Sequence, residues 1–373
     1  MSWQQARLAD ISSMRTGKLD SNAAIPEGAY PFFTCAQETL RIDEPAFDTE
    51  AVLLGGNNAA GIFPLKYYNG QFNAYQRTYV IESLAPDVLN IRYLYYALRP
   101  ALAHFQSASI GAATQYLTKG ILDNFQVPLP PVTIQNRIVI ILSAYDDLIE
   151  NNRRRIRLLE EAARLLYREW FVHLRFPGHE HVAVVDGVPE GWERKRLIEV
   201  ADIRMGQSPK SIYYNQDGNG LPFHQGVSNF GGRFPSHEVF CTILSRLAEP
   251  GDILFSVRAP VGRINITRDK IVIGRGLAAI RSNCDQQNFL FYALKSHFFK
   301  DDMMGTGAIF AAITKNDLHG VQLMHPPLRL IEMFTEHAQP IDRQIENLQQ
   351  TIDGLVKARD LLLPRLMNGE ISV

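Results

Sequence analysis

Two arginines are the residues of this sequence best suited to contact a ligand directly. Arg258 and Arg275 both stand where a strand is expected to pass into a loop. Their neighbours are small, which lets the backbone come close to a partner: Ser256, Ala259, Gly274 and Gly276. An extended arginine can make a bidentate contact with guanine or bind a phosphate. The alternative is that these side chains fold back onto a nearby carboxylate such as Asp252 or Asp269.

Further polar residues in both halves of the chain could serve the same chemistry. Amide side chains can read base edges, and cationic side chains can bind phosphates. The candidates in the second half are Arg263, Lys210, Gln225 and Lys315. Those in the first half are Arg77, Gln76, Asn57, Asn58, Gln37, Gln115 and Lys119.

The charge distribution favours a polyanion partner more strongly in the second half. The whole chain has a formal net charge of −1. Residues 195–300 hold 14 Lys and Arg against 8 Asp and Glu, a net of +6. Residues 1–130 hold 9 against 11, a net of −2, so any DNA contact there depends on where single cations such as Arg41, Lys66 and Arg77 lie.

No catalytic motif stands out in the sequence. Gly274-Arg275-Gly276 begins a GxGxxA pattern, but a dinucleotide site needs a following helix, which residues 281–283 interrupt. His179-Glu180-His181 has no third ligand at a zinc spacing, so a solvated loop is the better interpretation. The nucleotide-binding, metalloprotease and serine-hydrolase motifs are absent, as is the tetrapeptide with which amino-methyltransferases hold a flipped base. We therefore expect no cofactor or metal in this chain, and no active site of its own.

The composition argues for a folded protein of a reducing compartment. Apolar residues make up 46% of the 373, which is enough for packed cores. The three cysteines are far apart, so neither a disulfide framework nor a cysteine-built zinc site is expected. No apolar run approaches the roughly 18 residues of a membrane span, and the chain starts without a signal-peptide pattern. We expect a cytoplasmic location.

The chain consists of two copies of one unit. A shift of 196 residues aligns several segments without a gap: Tyr96-Ala97-Leu98 with Tyr292-Ala293-Leu294, Thr118-Lys119 with Thr314-Lys315, Pro130-Pro131 with Pro326-Pro327, and Ile149-Glu150-Asn151 with Ile345-Glu346-Asn347. Upstream the offset changes, and the best matches pair Ala9-Asp10-Ile11 with Ala201-Asp202-Ile203, Val52-Leu53-Leu54 with Asp252-Ile253-Leu254, and Arg77 with Arg275. Internal repetition therefore organises the fold.

Each copy combines a strand-rich part with a helical part, which predicts an α+β protein. Residues 1–131 and 177–327 carry short β-branched and aromatic runs between loops, whereas 132–176 and 328–373 follow helical spacing. Pro340 is expected to open its long helix at the first position. Pro177-Gly178 and Asn368-Gly369 are expected to end the two helices.

The two helices are expected to pair with each other as a coiled coil, although each could instead pack only on its own domain. The predicted contact face of the first helix includes Ile149, Ile156, Leu159 and Leu166, together with Leu148 and Asn152. That of the second includes Ile345, Leu348, Ile352 and Leu355. Asn152 could fix the register of the pair or be solvated. Antiparallel pairing would return the chain to its first unit and relate the two units by a pseudo-two-fold axis. About 26 helical residues would span about 40 Å, near one turn of B-DNA.

Several segments resemble one known family, the specificity (S) subunits of type I restriction–modification systems, and the resemblance runs nearly end to end. The segments that carry it are 111–119, 127–131, 169–180, 188–192, 251–262, 274–276 and 362–371. Among them are the helix exit Glu169-Trp170-Phe171-Val172 and the tail Pro364-Arg365-Leu366-Met367-Asn368-Gly369.

The resemblance implies a division of labour. Target recognition domain 1 would be 1–131 and domain 2, with its linker, 177–327, each reading half of a bipartite double-stranded DNA site. The helices 132–176 and 328–373 would set the unspecified spacer and dock two modification subunits, with restriction subunits joining the complex. S-adenosylmethionine, ATP and Mg²⁺ would belong to those partners.

One segment departs from the family pattern, and two other functions stay open. Ala308-Ile309-Phe310-Ala311 stands where the first copy has Ala112-Ala113-Thr114-Gln115, which puts a polar DNA contact from that loop in doubt. A stand-alone enzyme would need an active site. A coiled-coil adaptor without DNA specificity would account for the helices, but not for two units rich in Arg, Gln and Asn.

Overall fold

The protein is an α+β molecule built from two units, as its sequence predicts. The computed structural model describes residues 3–59, 61–298 and 312–373. Unit 1 comprises residues 1–154 and 349–373, and unit 2 comprises residues 155–348. The chain leaves unit 1 along the first long helix and re-enters it along the second, so each unit contains one part of each helix.

Unit 1 is built on a six-stranded sheet. Its order is β2-β8-β5-β7-β3-β4, antiparallel throughout except for the β3–β7 pair. The strands of the unit are β1 Gln5–Arg7, β2 Ser12–Thr16, β3 Tyr30–Phe33, β4 Leu40–Ile42, β5 Phe47–Gly55, β6 Asn57–Asn58, β7 Leu65–Ala74, β8 Thr78–Ser83, β9 Gln115–Tyr116 and β10 Gln126–Pro128. The end of β5 is fully buried because it is central, with β7 and β8 on its two sides.

The helices of unit 1 cover one face of this sheet. They are α1 Leu8–Ile11, α2 Ile91–Leu98, α3 Leu102–Ala108, α4 Lys119–Asp123 and the first part of α5 Val132–Tyr167. Asn90 caps α2 by accepting a hydrogen bond from Tyr93 N. Tyr93 and Leu94 of α2 then share a core with Val52 and Ile81 of the sheet.

Unit 2 repeats this plan with shorter strands in two main sheets. Their orders are β14-β22-β19-β20 and β15-β17-β16-β21-β18. The strands are β11 Val184–Val185, β12 Val188–Pro189, β13 Glu193–Arg196, β14 Ala201–Met205, β15 Tyr214–Asn215, β16 Leu221–His224, β17 Phe240–Cys241, β18 Leu247–Ala248, β19 Ile253–Ser256, β20 Ile264–Ile266, β21 Ile271–Ile273, β22 Leu277–Ser282 and β23 Gln322–His325. The helices are α6 Leu197–Val200, α7 Gln287–Phe298, α8 Lys315–Gly320, the last part of α5 and the first part of α9 Leu328–Met367.

The two long helices pair in antiparallel fashion within each unit, which confirms their mutual packing. In unit 1 the start of α5 shares a core with the end of α9, through Ile138 and Leu366, and Asp146 pairs with Arg359 at 2.6 Å. In unit 2 the end of α5 meets the start of α9, through Tyr167 and Phe334. The predicted contact residues are buried or half-buried: Ile149, Ile156, Leu159, Leu166, Ile345, Leu348, Ile352 and Leu355. Asn152 is buried as well, so the solvated alternative for it is wrong.

Three details of the helix prediction are wrong. Pro340 lies inside α9, a single helix of 40 residues, rather than at its start. The proline ring is on the exposed face, while Ala338 and Ile345 are buried, so packing outweighs the lost backbone hydrogen bond. Leu148 is 51% exposed and does not join the contact face. The helix α5 ends well before Pro177, at Tyr167, where a π-turn over Arg168–Val172 follows.

The downstream register of the duplication is confirmed at side-chain level. Tyr96 Oη donates to Asp146 Oδ2 at 2.7 Å, and Tyr292 Oη, 196 residues later, donates to Asp342 Oδ1 at 2.6 Å. Both bonds tie a short helix of the unit to a long helix. The long helices themselves begin 196 residues apart, at Val132 and Leu328.

The upstream register of the sequence alignment is wrong. Ala9-Asp10-Ile11 is helical whereas Ala201-Asp202-Ile203 is a strand; the structural counterpart of α1, Leu8–Ile11, is α6, Leu197–Val200. Further on, Gly56 N donates to Arg77 O, and Val257 N donates to Gly276 O at the same place in the sheet. Arg77 therefore corresponds to Gly276, and Gln76 corresponds to Arg275. Both residue pairs lie in the turn that precedes β8 in unit 1 and β22 in unit 2.

Candidate nucleic-acid interface

In unit 2, Ser208 brings two of the predicted contact residues together. Its Oγ donates to Gln225 Oε1 at 2.7 Å and accepts from Arg275 N at 3.1 Å. Gln225 follows β16, Arg275 lies between β21 and β22, and both are exposed. Lys210, also exposed, is two residues beyond Ser208. The sequence analysis missed Ser208, because a serine in a polar loop carries no signal of its own.

The glycines beside Arg275 are explained by this close approach. A Cβ on Gly274 would lie 2.8 Å from Gln225 Oε1, and one on Gly276 would lie 2.4 Å from Gln225 O. Gly276 N also donates to Gln225 O at 3.1 Å. The two glycines therefore let one loop pack on another and leave the Arg275 side chain outside, which is a different use of the pattern from a nucleotide-binding loop.

A second loop carries Arg258 and Arg263. Ser256 Oγ donates to Pro260 O at 2.6 Å and accepts from Arg263 N at 2.9 Å, which closes the loop at its base. Both arginines are exposed. Val257 N donates to Gly276 O at 2.9 Å, so this loop lies directly beside the one with Arg275. The set Arg258, Arg263, Arg275, Gln225 and Lys210 is called the unit 2 surface below.

The carboxylates that could have neutralised these arginines have other partners. Asp252 Oδ1 accepts from Arg281 Nε at 2.5 Å, and Asp269 Oδ2 lies 3.0 Å from His237 Nε2. Among the described residues, Arg258 and Arg275 form no ion pair. The fold-back alternative is therefore wrong for Asp252 and Asp269, and both arginine side chains are exposed.

Lys315 belongs to a separate basic groove of about 380 Å³. It lines this groove with Arg204 and Arg246. Among the described lining residues Asp202 is the one carboxylate, and it lies 3.8 Å from Arg204 Nη2. Arg204 Nη1 donates to Leu247 O at 2.7 Å, which fixes that side chain at the groove. Sequence reasoning missed both arginines. The corrected alignment pairs Arg204 with Arg15 of the first copy. An arginine that recurs at the same position of the repeat is a signal from which Arg204 could have been found.

In unit 1, an analogous set forms around the β6–β9 pair. Asn57 pairs with Tyr116 and Asn58 with Gln115. The Arg77 guanidinium lies over the Tyr116 ring, 5.3 Å from its centroid. Asn57 Oδ1 is buried and has no hydrogen-bond partner within the described residues. We call Asn57, Asn58, Arg77 and Tyr116 the unit 1 surface.

The remaining candidates of unit 1 are less suited to reading DNA. Gln115 is committed to its own loop, since its Nε2 donates to Gly111 O at 2.8 Å and its Oε1 accepts from Ser109 Oγ at 3.1 Å. Gln76 Nε2 donates to Asp20 Oδ2 at 3.2 Å. Gln37 is exposed in the loop after β3. Lys119 begins α4, and in the described part of the chain no hydrogen bond or ion pair joins it to the unit 1 surface.

A buried histidine supports the strand that carries Gln225. His224 Nε2 lies 2.8 Å from His237 Nδ1, and His237 Nε2 in turn contacts Asp269. Burial, and then the neighbouring His237, lower the pKa of His224 to about 4. The neutral ring is therefore part of the folded state.

Acid should destabilise unit 2 through His224. Because folding lowers its pKa from 6.5 to about 4, its contribution is present above pH 6.5 and is lost as the pH falls towards 4. The loss is at most about 3 kcal/mol. In denaturant unfolding at pH 7 and pH 4.5, His224→Gln should show a smaller pH dependence than the wild type. His181→Gln, at an exposed site, should behave as the wild type; equal pH dependence in all three would contradict the prediction.

Two segments singled out in the sequence do not belong to these surfaces. The segment Ala308-Ile309-Phe310-Ala311 lies outside the described residues. His179-Glu180-His181 forms an exposed single turn. Within the described ranges, no group of three potential ligands could hold a metal ion, and no helix is long and apolar enough to cross a membrane.

Comparison with known proteins places the chain in one family. A family model for the type I restriction modification DNA specificity domain matches residues 1–161 and 189–354. A putative type I restriction enzyme MjaX specificity subunit of Methanocaldococcus jannaschii is 34% identical over 303 residues, covering 75% of this chain and 68% of that protein. The EcoDI specificity subunit of Escherichia coli is 26% identical over 407 aligned positions, covering 99% and 89%.

A solved structure shares the fold. The S subunit of a type I restriction–modification system from M. genitalium superposes with a TM-score of 0.63 at 16% identity, covering 98% of this chain and 96% of that one. The likeness in fold agrees with the two family matches, which fall on the two copies of the repeat. The chain belongs to the family of DNA specificity subunits of type I restriction–modification systems.

Proposed function

We propose that this chain reads a bipartite DNA target, with the unit 1 surface contacting one half-site and the unit 2 surface the other. The observation that carries the proposal is the duplication of a unit whose loops bring arginine and amide side chains together. In unit 1 an exposed Arg77 accompanies the half-buried Asn57 and Asn58. In unit 2 these are Arg258, Arg275 and Gln225, with no neutralising carboxylate among the described residues. Arginine and amide groups supply both the phosphate contacts and the base-edge contacts that sequence recognition requires.

The modules of this function follow the sequence boundaries. Residues 1–131 and 177–327 would be the recognition domains, and the helical segments 132–176 and 328–373 would set the spacer. The chemistry would come from partner subunits, with S-adenosylmethionine on the modification subunits and ATP with Mg²⁺ on the restriction subunits. The chain itself would be non-catalytic. It would determine which DNA sequences the complex methylates and cleaves.

The duplication also supports two modification subunits for each chain. The long helices expose a leucine at the same position of the repeat: Leu165 in α5, within unit 2, and Leu361 in α9, within unit 1. Leu158 lies seven residues before Leu165, on the same side of α5, and is exposed too. Covering these leucines with a partner would remove apolar area from water. We place one modification subunit at each leucine.

Replacing the two arginines should weaken target binding strongly. We expect Arg258→Ala and Arg275→Ala, each in the complex with its modification subunits, to lower affinity for the target several-fold or more. Loss of a base contact, worth about 1–3 kcal/mol, should relax one position of the second half-site. Loss of a phosphate contact should weaken all sequences alike and reduce the salt dependence. Affinity over a salt series, for cognate and substituted duplexes, separates the two roles.

Arg194→Ala is the matched control for these variants. Arg194 is an exposed arginine of the same unit, but it lies on β13, which pairs with β23 away from the unit 2 surface. Wild-type affinity and methylation pattern in both test variants would remove Arg258 and Arg275 from the interface. A wild-type complex that binds all DNA sequences equally would favour the coiled-coil adaptor instead.

A further inference from the structure

Unit 2 contains a buried arginine that belongs to a recognition loop rather than to a core. Arg233 is 6% exposed, and its Nη2 donates to Asp342 Oδ1 at 2.5 Å. Its guanidinium also lies 4.5 Å from the centre of the Phe291 ring. Asp342 is on the long helix α9 and also accepts from Tyr292 Oη at 2.6 Å and from Asn288 Nδ2. A loop residue is thus fixed to the long helix by a closed polar cluster.

The first copy of the repeat has the same aspartate and tyrosine but a different arginine. Asp146 accepts from Tyr96 Oη and, at 2.6 Å, from Arg359 Nη1. Arg359, the arginine that hydrogen-bonds Asp146, is a residue of α9. Arg99, in the turn after α2, lies farther away, with Nη1 3.8 Å from Asp146 Oδ1. In unit 2, by contrast, the arginine that hydrogen-bonds the aspartate comes from the long loop after β16. The difference indicates that Arg233 has a task beyond pairing an aspartate.

The loop that contains Arg233 connects it to the unit 2 surface. The segment 225–236 begins at Gln225, a member of the unit 2 surface, and folds back through an isolated bridge between Phe230 and Pro235. Ser236 N donates to Asn229 O at 2.9 Å, and Asn265 Nδ2 donates to Gly231 O at 3.1 Å. These bonds make the loop one folded piece, with Gln225 at one end and the buried Arg233 near the other.

The corresponding loop of unit 1 is shorter and has a local anchor. It follows β3, as segment 225–236 follows the equivalent strand β16, and β4 begins at Leu40. Lys66 Nζ, from the same sheet, donates to Ala36 O at 3.1 Å and to Thr39 Oγ1 at 3.2 Å. The longer loop of unit 2, with three glycines, is held by β20 through Asn265 Nδ2 to Gly231 O and Ile266 N to Arg233 O, and in addition by the Arg233 side chain on α9.

We infer that Arg233 is a positioning residue for DNA recognition, which holds segment 225–236 in place on α9 so that Gln225 and Arg275 face the second half-site. This inference rests on the proposed DNA-reading function. A buried ion pair contributes little net stability compared with an apolar packing, but it imposes one geometry. The planar guanidinium fork, held between Asp342 and the Phe291 ring, imposes orientation as well, which a lysine cannot reproduce. Arg233 is thus expected to affect specificity more than folding.

Two variants of different design test this role. Arg233→Lys retains the charge and loses the fork. The double variant R233M/D342N removes both charges, so that neither is left buried without a partner, and keeps an acceptor for Tyr292 Oη. Each chain is assembled with its modification subunits, and affinity is measured for the target and for duplexes with single substitutions in either half-site. Discrimination against second half-site substitutions should fall roughly tenfold, whereas first half-site discrimination should stay within about twofold.

Arg359→Lys is the matched control, because it changes the same cluster in unit 1 without touching a recognition loop. It should leave discrimination at both half-sites unchanged. Wild-type discrimination in the double variant, an equal loss at both half-sites, or a loss confined to the first half-site in Arg359→Lys would each overturn the inference. If the wild-type complex itself discriminates at neither half-site, the proposed function fails instead, and the inference with it.

Discussion

Exchanging residues 1–131 for the same region of a related specificity subunit should change one half of the recognised DNA sequence and leave the other half and the spacer as they were. The reason is that unit 1 has its own sheet and core, and the unit 1 surface lies wholly within the exchanged residues. The expected change is complete at one half-site, which is larger than any single substitution can produce. Mapping methylated adenines in a host with the complete system measures it.

The structure shows how to join the exchanged domain to the helix. Gln135 of α5 is fully buried, and its side chain bonds three backbone atoms of the described domain, Val88 O, Pro130 O and Asn90 N, which any homologous domain can offer. Asp146, by contrast, needs a tyrosine at position 96, so the donor should have one there. A chimaera with both half-sites altered would contradict the modular account; exchange of residues 189–327 should give the reciprocal result.

Lengthening both long helices by four residues should lengthen the unspecified spacer and preserve both half-sites. In unit 1, the Asp146–Arg359 contact sets the pairing, so residues after Ile149 face residues near Leu355. Four residues added after Ile149 and four added after Leu355 keep the two helices in register. The insertion adds about 6 Å of helix, close to two base-pair steps of roughly 3.4 Å, and about one full turn of rotation. The same adenine-methylation map reports the new spacer.

Two further chains make the insertion experiment decisive. Four residues inserted at Gly187, in an exposed turn between β11 and β12, should leave the spacer unchanged. An insertion in α5 alone puts the two helices out of register and should reduce assembly and modification. A paired insertion that keeps the wild-type spacer with full modification would show that the helices do not set it.

The α+β class, the duplication and the antiparallel helices could be predicted because they depend on long patterns. The 196-residue offset holds over segments that contain no insertions. It is confirmed by the Tyr96–Asp146 and Tyr292–Asp342 hydrogen bonds, which are equivalent in the two copies. The upstream register could not be fixed in the same way. There the loops differ in length, and three matching residues such as Ala9-Asp10-Ile11 can occur by chance in a helix and in a strand.

Only some residues of the candidate interface could be predicted from the sequence. Arg258 and Arg275 could be singled out by their small neighbours, and the structure leaves both exposed. Gln115 looked like a reader of DNA, yet its amide closes its own loop, which depends on a turn that no spacing reveals. Arg233 carried no local signal, because its partner Asp342 is 109 residues away in the chain. The start of α9 was predicted wrongly at Pro340, because tertiary packing outweighs one missing backbone hydrogen bond.

We expect this chain to select a two-part DNA sequence for its partner subunits. The most direct measurement is a genome-wide map of methylated adenines in a host that carries the chain with its modification subunits, compared with the same host lacking only this chain. We expect chain-dependent methylation at one motif with two specified blocks separated by an unspecified spacer of fixed length. Methylation that does not depend on the chain, or that follows a single uninterrupted motif, would contradict it.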